Sequence, residues 1–180
     1  DQLEANTLAT EFITKNTTAL SLESNFLNGK LHNTLSAKRY QFQIDKQNRG
    51  ILDTLQQSNG SYYGWNEALK FEFVPQLIAR ASYEYGIRVP DAQEFLGDGN
   101  LITAAINLSP ERSHNFNLGL QYSTNNNRLQ GKVNGFYRNT FDKIVLLASI
   151  VSRFQNIGRT TSKGVEADIQ AEPWTFLSLS

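Results

Sequence analysis

Apolar and polar residues alternate strictly along several stretches of this chain. Within 115–122 every second residue is apolar, and the residues between them are Asn, Gly or Gln. The same two-residue period runs through 77–87 and 164–171. Because successive side chains of a β-strand point to opposite faces, this period predicts strands with one apolar and one polar face. The pattern predicts about eight such strands and no helix.

Short and long connections alternate between the predicted strands. Turn residues lie near positions 28, 75, 126 and 173, so they recur every 47 to 51 residues. Long polar segments over 45–61, 88–111 and 141–162 separate these turns. An antiparallel up-and-down meander in the wall of a transmembrane β-barrel has short turns at one end and long loops at the other. A β-propeller blade of this length would contain four short strands, whereas each period here contains two long ones.

The composition favours a water-filled interior over an ordinary globular core. Hydrophobic residues make up 39% of the 180 residues, and charged residues make up 19%. Asn, Gln, Ser and Thr together account for 57 residues, which suits the lining of a barrel lumen. The 17 basic residues balance 17 acidic residues, so no basic surplus exists to bind nucleic acid, and we predict no such partner.

Aromatic residues form two layers when their positions are counted from the nearest short turn. Phe26, Phe73, Tyr122, Trp174 and Phe176 lie close to a turn, and Tyr40, Tyr63, Trp65, Tyr85 and Tyr137 lie far from one. With ~2.6 Å of vertical rise per residue in a tilted strand, the two layers are ~25 Å apart. This separation predicts aromatic girdles at the two interfaces of a membrane.

Two positions depart from the regular alternation. Glu67 falls on an apolar face, near the predicted outer interface, where a carboxylate facing lipid has a small cost. Tyr40, Phe42 and Ile44 alternate out of phase with the apolar residues that precede them. A β-bulge near Lys38 and Arg39 would explain this change of phase, and so would a shift in the predicted register.

Few residues are arranged for catalysis or metal binding. His32 and His114 lie in different predicted hairpins, and the chain has no cysteine. Glu166 and Asp168 lie ~7 Å apart on one strand face, as glycosidase carboxylates can, but carboxylates that line a lumen give the same pattern. The acidic residues of 91–98 do not follow the spacing of a calcium-binding loop. We therefore predict no enzymatic activity, no metal site and no cofactor.

Several segments resemble landmarks of the TonB-dependent outer-membrane receptors. They are 80–90 (RASYEYGIRVP), 95–99 (FLGDG), 108–113 (LSPERS), 136–139 (FYRN) with 142–144 (DKI), and 156–158 (NIG) with 163–166 (KGVE). These segments follow the order of the family and cover roughly 77–180. The resemblance implies that residues 1–180 form part of the wall of a barrel of about 22 strands in the bacterial outer membrane. It also implies TonB-coupled import of a scarce nutrient, such as a siderophore, haem, cobalamin or an oligosaccharide.

The resemblance further implies four partners: a plug domain of the same protein, the inner-membrane TonB complex, outer-membrane lipid and the imported ligand. The residues expected to face the lumen are Arg80, Glu84, Asn115, Asn117, Gln121, Lys132, Asn134, Arg138, Glu166 and Asp168. Those expected to contact a ligand from a loop are Arg88, Asp91, Glu94 and Asp98. Two alternatives stay open: a complete eight-stranded membrane barrel, and a soluble β-propeller or sandwich that binds or hydrolyses glycans.

Overall fold

The structure, a computed structural model, describes residues 8–49, 54–98, 101–126, 128–148, 152–174 and 177–179. These ranges contain nine strands and one short helix. The strands are β1 (Leu8–Phe26), β2 (Leu31–Arg49), β3 (Thr54–Val74), β4 (Leu77–Arg88), β5 (Ile102–Thr103), β6 (Glu111–Ser123), β7 (Leu129–Leu147), β8 (Ser152–Trp174) and β9 (Leu177–Leu179). The helix, α1 (Ala92–Leu96), lies between β4 and β5. Within the same ranges, no helix has the length and apolar character needed to span a membrane.

The seven long strands pair in chain order, with β4 next to β6, and every pair is antiparallel. The two-residue strand β5 runs parallel to the start of β8, and β9 pairs with the end of β8. The predicted all-β fold and antiparallel meander are therefore confirmed. The prediction of no helix missed α1, because a single turn is too short to show a helical period.

Short connections join the long strands at one end of the sheet. Leu27, Asn28 and Gly29 adopt left-handed backbone angles between β1 and β2, and Pro75 and Gln76 alone separate β3 from β4. The third connection lies between Ser123 and Leu129. β8 continues to Trp174, and the residues after it that would complete a turn near 173 lie outside the described ranges. We call this the turn end of the sheet and the opposite end the loop end.

Two of the three predicted long loops are mostly strand. β2 and β3 occupy all of 45–61 except 50–53, and β7 and β8 occupy most of 141–162. The 19 residues of β2 rise ~50 Å in a tilted strand, about twice the height of the apolar band of a membrane barrel. Beyond that band the outward face meets water instead of lipid, so polar residues continue the strands instead of ending them. The segment 88–111 does leave the sheet and contains α1 and β5.

The registers sort the side chains of the long strands into two faces. Leu69, Ala81, Leu118, Gly135 and Val165 are successive cross-strand neighbours from β3 to β8. We call the face that carries them the outward face and the opposite face the inward face.

Of the two explanations for the change of phase in β2, the bulge near Lys38 is not observed, because β2 pairs with β1 and β3 in an unbroken register. Tyr40, Phe42 and Ile44 therefore point to the inward face, opposite to Leu35. Placing Tyr40 in the outer girdle was wrong for the same reason. The apolar residues change face because protein covers the inward face at the loop end.

The buried core lies between the sheet and the segment that follows β4. It consists of Phe42, Ile44, Phe95, Ala105, Leu108 and Ile144. Ile44 and Phe95 have no exposed surface at all, so the packing between the segment and the strands is tight. We call residues 89–110 the rim loop, because they fold from the end of β4 over the inward face and reach the start of β8.

Candidate functional site

The outward face is apolar from the turn end to the outer aromatic residues, and none of the described residues forms a layer over it. Leu118 is 65% exposed and Val165 74% exposed, although both lie in the middle of strands. Other exposed apolar residues on this face are Leu20, Leu22, Phe26, Leu35, Leu69, Phe73, Leu120, Tyr122, Val133 and Ile169. An apolar surface of this size would cause the protein to aggregate in water. The outward face therefore contacts membrane lipid.

Aromatic side chains border this apolar surface at both ends. Phe26, Phe73 and Tyr122 lie near the turn end. Towards the loop end, Trp65 packs against Tyr83 with ring centroids 4.8 Å apart. The predicted layer members Tyr63, Trp65, Tyr85 and Tyr137 all lie on the outward face. The side chains of Trp174 and Phe176 lie outside the described parts of the structure.

Glu67 is on the outward face, as its position in the alternation predicts. Asn33 of β2 donates a hydrogen bond from Nδ2 to Glu67 Oε1 over 3.0 Å. The amide therefore satisfies one carboxylate oxygen and lowers the cost of placing this group beside lipid.

All ten residues predicted to face a lumen share the inward face of the sheet. Cross-strand hydrogen bonds connect several of them: Arg80 Nη1 donates to Gln121 Oε1 over 2.7 Å, and Arg138 Nε donates to Asn115 Oδ1 over 3.0 Å. Asn115 Nδ2 in turn donates to Glu84 Oε2 over 2.9 Å, and Asn117 Nδ2 donates to the hydroxyl of Ser82 over 3.2 Å.

Four further residues of this set form two cross-strand pairs. Lys132 lies directly opposite Asp168, and Asn134 lies opposite Glu166. Opposite charges on directly paired positions of an antiparallel sheet stabilise the pairing by ~0.2–1 kcal/mol. The carboxylates of Glu166 and Asp168 thus belong to a mixed polar surface. No group of three or more His, Cys, Asp or Glu side chains in the described ranges is arranged to hold a metal ion.

The rim loop begins with a charged cluster at the end of β4. Arg88 donates two hydrogen bonds to the carboxylate of Glu94, at 3.0 and 3.1 Å, and one of 2.7 Å to Glu111 Oε1. Glu111 also accepts the backbone N–H of Ile144 over 2.8 Å. One arginine therefore ties α1 to the first residue of β6.

Glu111 is a mostly buried carboxylate beyond the outer aromatic layer. Burial by itself raises the pKa of Glu111, but the hydrogen bonds from Arg88 and from the Ile144 backbone lower it by more. The net effect keeps the pKa of Glu111 below its ordinary value, so the charged form holds the cluster together. The same contacts raise the pKa of Arg88 above its usual range.

The apolar side of the rim loop packs on rings that line the inward face. Phe95 lies 5.6 Å from Phe42 between ring centroids, and Phe42 stacks on Tyr62 with centroids 6.1 Å apart. Phe42 also lies over Gly60, where an added Cβ would come within 2.8 Å of the ring. Glycine at this position lets the ring approach the backbone of β3.

Asn156 fixes the far end of the rim loop. Its Nδ2 donates to the carbonyls of Ser109 (2.9 Å) and Asp142 (2.6 Å), and its Oδ1 accepts the N–H of Ser109 over 2.8 Å. Asp142 has a left-handed φ of 53°, and the ladder between β7 and β8 skips this residue. The side chain of Asn156 thus supplies the partner that the irregular backbone lacks.

The four residues predicted to contact a ligand have partners inside the protein. Arg88 and Glu94 bind each other, Asp91 lies 3.5 Å from Lys15 Nζ, and Asp98 Oδ1 accepts the N–H of Ile102 over 2.7 Å. Asp91 is the most exposed partner in the ion pairs of the rim loop, with 77% of its side chain accessible. These contacts hold the rim loop in its observed conformation.

Glu111 and the aromatic cluster of Phe42, Tyr62 and Phe95 belong to this region, although the alternation along the chain did not indicate them. The available signal was the run Tyr40, Phe42, Ile44, whose phase matches the polar face. An apolar run on a polar face instead indicates that a loop covers that part of the face.

A sheet with one lipid-facing and one polar surface, seven long antiparallel strands and a loop folded over its inner side defines the wall of an outer-membrane β-barrel. The family model "TonB dependent receptor-like, beta-barrel" matches residues 3–180. The chain belongs to this family and is located in the bacterial outer membrane. Its members are transporters and receptors, so the alternative of a soluble glycan-binding or glycan-hydrolysing protein is wrong.

Solved structures agree with this fold at low sequence identity. The copper transporter OprC superimposes with a TM-score of 0.76 at 12% identity, over 92% of this chain and 26% of that protein. The FrpB iron transporter from Neisseria meningitidis gives 0.70 at 17% identity, over 90% and 23%. The hemophore receptor HasR of Serratia marcescens, in complex with hemophore and haem, gives 0.70 at 16% identity, over 88% and 32%.

This chain therefore spans about a quarter to a third of the length of the structures it resembles. None of the curated protein sequences matches it.

Proposed function

We propose that this chain is the barrel-wall segment of an outer-membrane receptor that imports a scarce nutrient by TonB-coupled active transport. The supporting observation is the division of the sheet into an apolar outward face and a hydrogen-bonded polar inward face, with the rim loop at one end. Family relatives of known structure are described as transporters of copper and iron and as a haem-hemophore receptor. The nutrient of this protein is a siderophore, haem, cobalamin or an oligosaccharide.

Within this proposal the inward polar residues bind the plug domain and water. Groups such as Asn115 and Arg138 are held in a cross-strand network, and their remaining donors and acceptors are available to a partner in the lumen. Exchangeable polar contacts of this kind let a plug rearrange without exposing apolar surface.

The rim loop narrows the entrance from the loop end. Asp91 and Asp98, both exposed, are its candidate ligand contacts, while Arg88 and Glu94 hold it in place. This division follows from exposure: the side chain of Asp91 is 77% accessible although it pairs with Lys15, whereas that of Glu94 is 14% accessible.

Uptake by the full-length protein tests the proposal directly. Cells that express it are given radiolabelled ferric siderophore, haem, cobalamin or an oligosaccharide, with and without TonB. We expect saturable uptake of one compound that stops when TonB is absent or the proton gradient is collapsed. Uptake that continues without TonB would contradict active transport and indicate a passive pore.

The loop contacts are tested in the same assay. We expect Asp91→Asn to weaken ligand affinity about tenfold, because a charged hydrogen bond to a ligand contributes roughly 1.5–3 kcal/mol. Glu23→Gln, an exposed carboxylate near the turn end, is the matched control and leaves uptake unchanged. Equal affinity for the Asp91 and Glu23 variants would remove Asp91 from the ligand site.

A further inference from the structure

A polar pocket lies on the inward face of the sheet, directly below the charged cluster of the rim loop. It has a volume of about 290 Å³, and β4, β6 and β7 supply its lining. These three strands have neighbouring strands on both sides, so another strand of a barrel cannot fill the pocket. We call this cavity the vestibule pocket; the lining residues used below are Glu84, Gly86, Ser113, Asn115, Arg138 and Thr140.

The vestibule pocket lies above the outer interface of the membrane. Tyr137 belongs to the outer aromatic layer, and Arg138, Thr140 and Lys143 of the lining follow it along β7. With ~2.6 Å of vertical rise per residue, the pocket extends from this layer to ~16 Å above it. It is therefore on the side of the barrel from which a nutrient arrives.

Arg138 is a cation of this pocket that has no acidic partner among the described residues. Asn115 Oδ1 accepts its Nε–H over 3.0 Å, which orients the guanidinium and leaves both Nη groups without a partner in the same part of the chain. The other two cations differ, because Arg88 binds two carboxylates and the charge of Lys143 acts on Glu111.

The acid closest to Arg138 in the hydrogen-bond network does not neutralise it. Glu84 Oε2 accepts the Nδ2 of Asn115 over 2.9 Å, so the Asn115 side chain lies between the two charges and binds both. Glu84 and Arg138 are two strands apart in the sheet, about 10 Å between their backbones. The positive charge of Arg138 is therefore available to a ligand.

Hydroxyl groups and a small residue complete the surroundings of this guanidinium. Thr140, two residues further on the same face of β7, is only 7% exposed, and its hydroxyl has no hydrogen-bond partner among the described residues. Ser113 Oγ accepts Asn115 Nδ2 over 3.2 Å and keeps its own O–H to donate. Gly86 keeps the space open, because a Cβ there would lie 2.9 Å from the Ser113 hydroxyl.

We propose that the vestibule pocket binds a carboxylate group of the imported nutrient, with Arg138 as its direct contact. The proposal rests on the transport function proposed above and narrows the nutrient to a compound that carries a carboxylate, as haem and carboxylate-type siderophores do. Two Nη groups donate parallel hydrogen bonds to the two oxygens of one carboxylate, and the hydroxyls of Thr140 and Ser113 are further donors. A neutral oligosaccharide offers no charge to Arg138.

Equilibrium binding to the full-length receptor in neutral detergent tests this contact. Ferric citrate and haem are the probes that carry carboxylates, and their comparison separates a siderophore from haem. Maltotriose and an uncharged ferric trihydroxamate are the probes without a carboxylate. We expect one of the first two to bind, and Arg138→Gln to weaken its binding at least about tenfold, the effect of losing charge-assisted hydrogen bonds.

Lys163→Gln is the matched control. Lys163 lies directly opposite Tyr137, on the outward face at the height of Arg138, so this variant loses the same charge outside the pocket and leaves binding unchanged. Arg138→Lys keeps the charge but loses the planar pair of donors, and we expect its affinity to lie between those of the native receptor and Arg138→Gln. Thr140→Val, with an expected loss of about threefold, repeats the test if Arg138→Gln does not fold.

The outcomes separate this proposal from the transport function on which it rests. Equal affinity of Arg138→Gln and Lys163→Gln for the bound probe would overturn the proposal. TonB-dependent uptake of maltotriose or the trihydroxamate alone would also overturn it, while the transport function would stand. An ion-conducting channel in Arg138→Gln with unchanged probe binding would assign Arg138 to the plug domain instead. Uptake without TonB would contradict the transport function itself.

Discussion

The inward face of the sheet has two halves that the same strands build in different ways. Near the turn end it is an open polar surface in which side chains such as Arg80 and Gln121 bond across strands. At the loop end it is a buried apolar core in which Phe42 and Ile44 pack under the rim loop. The difference shows that the polarity of a strand face follows from what covers it, and one strand can change its covering along its length.

The largest expected effect comes from removing the centre of the loop-end core. Phe95→Ala should destabilise the packed rim loop by about 3–5 kcal/mol, because the ring is fully buried between the loop and the sheet. Hydrogen exchange of residues 92–96 in the full-length protein measures this opening. Phe116→Ala, an exposed ring on the outward face, is the control. Unchanged exchange in Phe95→Ala would mean that the loop is held by its polar contacts alone.

A second prediction compares the two faces near mid-height of the sheet. Leu120→Lys places a charge beside lipid and should cost about 2–4 kcal/mol, whereas Gln121→Lys, one residue further along on the inward face, should cost little. Refolding of the full-length protein into vesicles over a urea gradient measures both values. Equal costs for the two variants would contradict the assignment of the faces.

The charged cluster should contribute a smaller, pH-dependent stability. The pKa of Glu111 is lowered in the folded loop, so its stabilising effect is complete above the ordinary carboxyl pKa of about 4.3 and is lost as the pH falls through the lower folded value. We expect opening of the rim loop, measured by protease cleavage of 89–110, to increase below about pH 4.

Glu111→Gln should open the loop at neutral pH by about 1–3 kcal/mol and remove most of this acid dependence. Glu84→Gln, lower on the same face, is the matched control for the pH profile. An acid dependence that persists unchanged in Glu111→Gln would assign the titration to another carboxylate.

The smallest expected effect lies in the open polar half. Gln121→Ala removes the side-chain hydrogen bond that Arg80 donates across the strands, but water replaces it on a solvated surface. We expect a loss of about 0.5–1.5 kcal/mol in the same urea experiment. A loss as large as that of Phe95→Ala would mean that the turn-end half is also a sealed core.

Much of this architecture could be predicted from the residues alone. The alternation around Leu118 and Val165 correctly assigned the outward face, and the landmark segments correctly indicated the family. The residues of the inward network, such as Arg80 and Asn117, were also found by their position in the alternation. The hydrogen bonds between these residues could not be predicted, because the partner of each side chain depends on the register between neighbouring strands.

Within each regular run the sequence by itself determined which side chains share a face, since the two-residue period of a strand is a local property of the backbone. Only the tertiary structure decided where the strands end, which way Phe42 points and how Arg88 joins Glu94 to Glu111. Those features depend on contacts between residues far apart in the chain. A polar segment such as 45–61 is compatible with a loop in water or with a strand above the membrane, and pairing of β2 with β3 decides between them.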